Sequence, residues 1–449
     1  MSSFKIAVEG CCHGALNSIY NSLEEKCEAR GWTLADIDLL FLCGGSQAVR
    51  NELDLNCMSV PRNFRQLGDF HLYYSGKKRA PVLTIVIGGN HEASNYLSEL
   101  YHGGWLAPNI FYLGAVGMLR YGPLRICGLS GIFDRSDYRK PRSERLPYSR
   151  DEVRTVCHVR ESDAVRLLQV RSPVDIGLSH DWPRRIDYYG DSERLFAARP
   201  SFFESAKRDR LGSEPAEDVL NHLRPRYWFS GHMHTEYEAT IHHEDDNSNN
   251  FFEYLSVPPK IQKQLPKSIR IRAFPQIPTA ITNTTTHFLG LDKPGPARKF
   301  LDLLEVESLW EVDDPSVVPY LQKTSENKYA LHYDEEWLSI VRSISHDLDV
   351  DDTIPELASL SIADEHEDVT SSSLDWIREN VTAKGLLRVP DNFEVHAPPY
   401  DGEGNIETDE QPPEYPNSQT EIFCKMLGIS NGFMSSDSEV IDDDYVVFE

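Results

Sequence analysis

The sequence predicts a layered α/β fold, with mixed β-sheets flanked by helices, and two patterns predict it. Short apolar runs recur through the first 235 residues, and stretches with helical spacing stand between them, at residues 15–30, 150–170, 192–207 and 214–223. The apolar runs end in polar residues, as strands of an open α/β sheet do where ligands gather at their carboxyl ends.

Taken in order, Lys5-Ile6-Ala7-Val8-Glu9-Gly10 leads into Cys11-Cys12-His13-Gly14, and Asp38-Leu39-Leu40-Phe41-Leu42-Cys43 leads into Gly44-Gly45-Ser46. Ala80-Pro81-Val82-Leu83-Thr84-Ile85-Val86-Ile87 leads into Gly89-Asn90-His91-Glu92, and its Val and Ile content suits a strand buried on both faces. Asp175-Ile176-Gly177-Leu178-Ser179 leads into His180-Asp181, and Tyr227-Trp228-Phe229-Ser230-Gly231 into His232-Met233-His234. Any one of these histidines alone reads as a core residue. Four of the five strand ends deliver imidazole, however, and three add a thiol, an amide or a second imidazole. Nitrogen, oxygen and sulfur donors on separate rigid elements are what a transition-metal site needs.

Beyond residue 242 the pattern breaks into an Asn/Asp run, a Pro-spaced basic segment and Asn283-Thr284-Thr285-Thr286, which reads as a disordered insertion over 242–285. Strand and helix character returns over 286–343, with Phe288-Leu289-Gly290-Leu291-Asp292-Lys293 and Tyr333-Asp334-Glu335-Glu336-Trp337-Leu338. An acidic, Ser-rich low-order stretch follows at 347–373, then a short helical piece near Trp376. Residues 420–429 have amphipathic spacing and are expected to pack back on the domain. The tail, 431–449, is acidic.

Apolar content of 40% and a mean hydropathy of -0.45 describe a soluble protein with polar segments. No apolar run approaches the ~20 residues that span a bilayer, and the N-terminus carries no signal-peptide pattern. Eight scattered cysteines in that context point to a reducing compartment rather than to disulfides. The net charge of -26 is unevenly placed: residues 301–449 hold 36 acidic and 7 basic groups, whereas residues 1–300 hold 35 and 38. The histidine-rich region therefore does not repel phosphate.

Taken together and in this order, the strand-end motifs resemble those of the calcineurin-like metallophosphoesterases: Asp-x-His, Gly-Asp, Gly-Asn-His-Glu, a lone His, then Gly-His-x-His. One branch is closer still. Val8-Glu9-Gly10-Cys11-Cys12-His13-Gly14, Gln47-Ala48-Val49-Arg50-Asn51, Gly88-Gly89-Asn90-His91-Glu92-Ala93-Ser94, Gly103-Gly104-Trp105, Asp137-Tyr138-Arg139-Lys140 and Leu178-Ser179-His180-Asp181-Trp182-Pro183 resemble the RNA lariat debranching enzymes, in which Cys replaces the first Asp. The resemblance implies a metallophosphoesterase catalytic domain over 1–241, with a lariat recognition loop at 130–160. It also implies a C-terminal debranching-enzyme domain over 286–430 that packs on it.

Carried over residue by residue, the family pattern assigns Cys11, His13 and His234 to one divalent metal, and Asn90, His180 and His232 to a second. Two cations about 4 Å apart activate water near neutral pH. The thiolate favours Fe²⁺, Zn²⁺ or Mn²⁺ over Mg²⁺. His91 is the expected general acid. Glu92 and Asp181, beside ligands, read as partners that fix imidazole tautomers or as caps, and Cys12 as packing. One departure stands out: the family's second motif reads Gly-Asp-Phe-Gln-Ala-Val-Arg-Asn with a metal-bridging Asp, and Gly45 occupies that place here. Three explanations stay open: water or substrate phosphate fills the bridge and activity is reduced, one metal site is lost, or the sequence carries an error at these positions. Cys43 and Ser46 are the nearby candidates for a substitute ligand.

Arg135, Tyr138, Arg139, Lys140, Arg142, Arg145 and Tyr148 interleave basic and aromatic groups within the loop, which suits phosphate contact and base stacking on RNA. The expected activity is hydrolysis of the 2'-5' phosphodiester at the branch point of excised intron lariats by a metal-activated hydroxide. Two other readings stand beside it: a lariat-binding protein impaired by Gly45, and a metallophosphoesterase for another phosphodiester. The expected setting is a nuclear monomer that acts on branched lariat RNA away from membranes and meets splicing-related proteins through its acidic C-terminal third.

Overall fold

The computed structural model describes residues 2–243, 277–350, 371–402 and 408–432. Most of the 242–285 insertion, of the 347–373 stretch and of the 431–449 tail lies outside them. The strands are β1 (Ser3–Glu9), β2 (Leu39–Leu42), β3 (Thr84–Val86), β4 (Gly104–Ala107), β5 (Ile110–Tyr112), β6 (Val116–Tyr121), β7 (Leu124–Leu129), β8 (Ile176–Ser179), β9 (Tyr227–Ser230), β10 (Tyr237–His242), β11 (Thr285–Gly290), β12 (Leu301–Glu307) and β13 (Leu331–Tyr333). They form two mixed sheets, in the orders β12-β1-β2-β3-β5-β4 and β10-β11-β9-β8-β7-β6-β13. The inner strands β1-β2-β3-β5 and β7-β8-β9-β11 run parallel, and antiparallel strands close the edges.

The side-chain alternation of each strand builds the layers. In β1, Ile6 and Val8 point to the space between the sheets, while Ala7 faces the helix Leu16–Ala29; in β2, Phe41 and Leu42 divide in the same way. The second sheet sends Ile126, Ile176, Leu178 and Phe229 into the shared layer. It turns Met118, Cys127 and Trp228 towards the helices Glu214–Leu223 and Glu335–Val350. Burial on both faces explains why these runs read as nearly continuous apolar stretches.

The predicted elements are present with local differences. The 150–170 helix is two pieces, Glu152–Thr155 and Glu161–Leu168, because the intervening backbone pairs with Ile132 instead, through the Val159 N–H to the Ile132 carbonyl (2.9 Å). The 192–207 helix breaks at Pro200, which opens the second piece at the position where a missing N–H costs least. Two hairpins, β4-β5 and β6-β7, were not anticipated.

The C-terminal region does more than pack against the core. It supplies β12 beside β1, β11 between β9 and β10, and β13 beside β6. The helix Ser418–Leu427 buries Phe423 and Leu427 against Trp337, Val341 and Ile377, and Asn417 caps its start. The strap before that helix is tied down by hydrogen bonds from Asn51 Nδ2 to the Pro398 carbonyl (2.7 Å) and from Asn56 Nδ2 to the Glu410 carbonyl (2.7 Å).

A buried charge cluster fastens β13 to the sheet. Asp334 accepts from Arg125 Nη2 (2.7 Å) and Arg120 Nε (2.9 Å), and its Oδ1 also caps the following helix at the Trp337 N–H (3.0 Å). Burial opposes ionisation of Asp334, but the two guanidiniums outweigh it and hold the carboxyl well below the usual range. Asp334→Ala takes from Arg120 its carboxylate and leaves Arg125 with Glu336 alone (2.7 Å), and we expect a loss of about 3 kcal/mol in urea denaturation at pH 7. A carboxyl with a depressed folded pKa contributes fully above its unfolded value and loses that contribution as pH falls. The gap between wild type and variant should therefore hold down to about pH 4 and narrow below it.

Candidate metal centre

Five parallel strand ends meet at one edge of the two sheets, and their backbones touch. A Cβ on Gly231 would collide with the Gly10 carbonyl, and a Cβ on Gly44 would collide with the His180 ring. Side chains at these two positions would push the sheets apart. Cys12 N–H donates to Gly44 O (3.0 Å) and Gly14 N–H to Gly45 O (3.2 Å), so the loops after β1 and β2 are zipped together.

The six predicted ligands and His91 are brought together by this arrangement. Cys11 Sγ, His13 and His234 each place a donor atom within 4.8 Å of the other two, with His13 Nε2 and His234 Nε2 at 3.0 Å. His180 Nε2 lies 3.2 Å from Asn90 Oδ1, and the His180 and His232 rings are 5.0 Å apart, centroid to centroid. The His91 ring stands edge-on to His13 at 5.6 Å. His13, His232 and His234 all sit on left-handed backbone (φ 48°, 56° and 46°), a conformation uncommon outside glycine and concentrated at functional sites.

The donor set fits divalent cations. His180 Nδ1 is 2.6 Å from the Cys43 carbonyl and must donate to it, which leaves the Nε2 lone pair of the neutral ring facing the Asn90 oxygen. With the Asn90 oxygen turned towards it, the pair offers two lone pairs that a cation between them would take up. The His13 and His234 nitrogens face one another in the same way, next to a thiol. Burial holds both rings neutral, with the positive charge of Lys293 adding to the effect at each: His13 is lowered to about 4 and His234 to about 3. Burial also pushes the Cys11 thiol well above its usual range, reinforced by the Glu9 and Glu92 carboxylates, so a metal is needed to hold it as thiolate. Burial, then His232 and Lys293, lower the pKa of His91.

The calcineurin-like phosphoesterase family matches residues 4–236, and the lariat debranching enzyme C-terminal domain matches residues 283–432. The lariat debranching enzyme of Schizosaccharomyces pombe is 35% identical, over 99% of this chain and 100% of its own length. That of Homo sapiens is 40% identical over 95% of this chain and 69% of its own length, and that of Arabidopsis thaliana 36% over 95% and 86%. The chain belongs to the lariat debranching enzyme family.

Of the two readings of Glu92 and Asp181, the structure shows the second: both accept from backbone N–H groups as caps, and neither bonds an imidazole. Glu92 is fully buried and accepts from the N–H groups of Gly45 (2.7 Å), Gly89 (2.8 Å) and Ser46 (3.1 Å) and from the Ser46 hydroxyl (2.8 Å). Asp181 accepts from the Phe133 N–H (3.4 Å), which ties the start of the 130–160 loop to the centre. The His180 tautomer is set by the Cys43 carbonyl instead. Ser46 is spent on Glu92, and the Cys43 side chain points into the apolar layer between the sheets, so neither stands in for the absent bridging carboxylate. Gly45 itself has φ 70°, and a Cβ there would lie 3.1 Å from Cys11 Sγ. Cys12 is core, as expected.

The loop residues divide. Arg135, Arg139 and Lys140 are exposed, in ion pairs with Glu214 (3.3 Å), Glu161 (3.7 Å) and Asp137 (2.6 Å). Arg145 is exposed too, and donates to the Glu144 and Gly432 carbonyls. Tyr138 is half-buried, edge-on to Phe133. Two expectations need correction. Tyr148 is buried against Cys57, Val153 and Val156, with its backbone paired to Gln411, so it cannot stack on a base. Arg142 is committed to Asp163 (2.7 Å) and the Val156 carbonyl (2.8 Å), although it still lines a recess beside Gly89 and Glu92.

Sequence reasoning missed two charged groups. Glu9 is buried behind Cys11 and accepts from its N–H (3.1 Å). Lys293 follows β11 and adds positive charge to the surroundings of Cys11, His13, His91 and His234. The signal was the same as for the histidines, a polar residue just beyond an apolar run.

Glu92→Gln keeps an oxygen for the three N–H groups, but it removes the charge that strengthens those bonds and sets an NH2 donor against the Ser46 hydroxyl. We expect it to cost roughly 2–3 kcal/mol in urea denaturation and to lower metal content measured by mass spectrometry. A variant as stable as wild type would mean that the loops hold without the carboxylate.

Proposed function

We propose that this chain hydrolyses the 2'-5' phosphodiester at the branch point of intron lariats, giving linear RNA with a 5'-phosphate and a free 2'-hydroxyl. The observation that carries the reading is the pair of donor clusters, Cys11-His13-His234 and Asn90-His180-His232, with His91 beside them in a chain of this family. The first three would hold one divalent cation and the second three another. Cations bound there supply an activated water and neutralise phosphate charge. A thiolate among the donors favours Fe²⁺, Zn²⁺ or Mn²⁺.

The chain's own groups do the rest. His91 hands a proton to the departing 2'-oxygen. Asp181, through Phe133, keeps the 130–160 loop against the centre, and its exposed Arg135, Arg139, Lys140 and Arg145 meet RNA phosphates flanking the branch, the first three exchanging their carboxylate partners for the polyanion. Tyr138 is the aromatic group left to stack on a base. The reading places the work in the nucleus, as a monomer that meets splicing-related proteins through its acidic C-terminal third.

The test is single-turnover cleavage of a synthetic 2'-5' branched RNA by the protein loaded with Fe²⁺, Zn²⁺ or Mn²⁺ and assayed for metal. Wild type should cleave it and leave 3'-5' linkages intact, and His91→Ala should slow the chemical step by roughly 10²–10⁴-fold with RNA affinity kept. Gly45→Asp should raise metal stoichiometry and rate, since Asp tolerates left-handed backbone better than most residues. A wild type that binds two metals yet cleaves no branched RNA would defeat the proposal; cleavage by Gly45→Asp alone would mark this chain as a lariat binder.

A further inference from the structure

β11 runs parallel to β9 with Gly290 opposite Ser230, so its carboxyl end lies level with the strand end that delivers His232 and His234. The Leu291 N–H donates to the Ser230 carbonyl (3.1 Å). On the other side, a Cβ on Gly10 would collide with the Leu291 and Asp292 carbonyls, so the chain leaving β11 is pressed against the segment that leads into Cys11 and His13. Lys293 is thus inserted between the two loops that carry the first donor cluster. The turn that presents it is held by Asp292, which accepts from the Lys293 N–H (2.7 Å) and from Arg298 Nη1 (2.6 Å), and by the Asp292 N–H to the Lys299 carbonyl (3.0 Å).

The three cations of this turn are not equivalent. Arg298 is paired with Asp292 and Lys299 with Glu236 (both 2.6 Å), whereas the half-buried Lys293 ammonium has no carboxylate partner among the described residues. An unpaired ammonium beside a cation site is electrostatically unfavourable by itself, since it repels the ions the donors would hold. An anion bound across both would reverse the sign. Lysine holds phosphate oxygens as a compact point charge, without the fixed fork of arginine.

We propose that Lys293 grips a non-bridging oxygen of the scissile phosphate and so positions the branch-point phosphodiester over the Cys11-His13-His234 cluster. This rests on the debranching reading and names the group in this chain that receives the substrate's charge. The alternative is that Lys293 serves the Cys11 thiolate, and thereby the metal, and never meets RNA.

The experiment uses the full chain with metal loaded and quantified. Lys293→Gln and Lys293→Arg are made in wild type, and again with His91→Ala so that RNA binding is read without turnover. Affinity for the branched RNA is measured by fluorescence anisotropy across a salt series. Lys293→Gln should weaken binding by roughly 10–100-fold, as expected for a hydrogen bond to a charged group. It should reduce the salt slope by about one, and Lys293→Arg should restore most of the affinity. Metal content should be unchanged in both. Unchanged affinity, or a fall in bound metal with Lys293→Gln, would overturn the assignment. Wild-type cleavage measured in parallel separates the two ideas: an inactive wild type counts against the debranching reading, whereas an active wild type with an indifferent Lys293→Gln counts against Lys293 alone.

Discussion

Four donors converge on the buried carboxylate of Glu92: the N–H groups of Gly45, Ser46 and Gly89, and the Ser46 hydroxyl. Burial raises its pKa, while these bonds act in the opposite sense. The consequence is mechanical. The loops after β2 and β3 are held to one another through a single side chain, and the loop after β1 is zipped to Gly44 and Gly45. With those three fixed, Cys43 presents its carbonyl to His180, and the imidazole of the second sheet is oriented by the backbone of the first. A group that touches no metal donor therefore sets where four of them lie.

The same dependence extends to the C-terminal region. β12 covers the edge of β1, and β11 separates β9 from β10, so removing residues after 283 would open both sheets next to the site. An exposed edge beside the first-motif strand leaves a row of backbone donors and acceptors unpaired. The Asp334 cluster and the Gln419 side chain, which bonds both backbone groups of Trp105, tie distant segments to this frame. The lariat debranching enzyme C-terminal domain is thus woven into the phosphoesterase sheets, and cooperative unfolding of the two is the physical expectation.

Much of this was legible in the residues. Strands such as β1 and β3 announce themselves because both faces are buried, and the donors at their ends stand out against apolar runs. The β4-β5 hairpin does not show in the sequence, since Gly104-Trp105-Leu106-Ala107 and Ile110-Phe111-Tyr112 are too short to show a period, and β6-β7 does not because every residue of both strands is buried, which leaves no alternation to read. Tyr148 and Arg142 were misread because composition does not tell a solvated loop from one folded back on the core: only the packing against Cys57 and the bond to Asp163 reveal that these two are structural. Lys293 was overlooked for the converse reason. A lone Lys after a strand is ordinarily solvent-exposed, and its proximity to Cys11 arises from β11 lying next to β9, a pairing that crosses more than fifty residues of sequence.

Gly45 brings the two scales together. Its left-handed backbone is imposed by Glu92 and by the Gly14 N–H to its carbonyl, so the conformation persists whether or not the residue carries a carboxylate. The side chains nearest in sequence are already committed, Ser46 to Glu92 and Cys43 to the apolar layer. The geometry that would receive a bridging ligand is therefore maintained while the ligand itself is absent. In such a frame, cations held by the two donor clusters would lack a side-chain carboxylate between them. A substrate phosphate has the charge and the oxygens to take that place, and Lys293, at the first cluster, is the cation of this chain proposed to receive it.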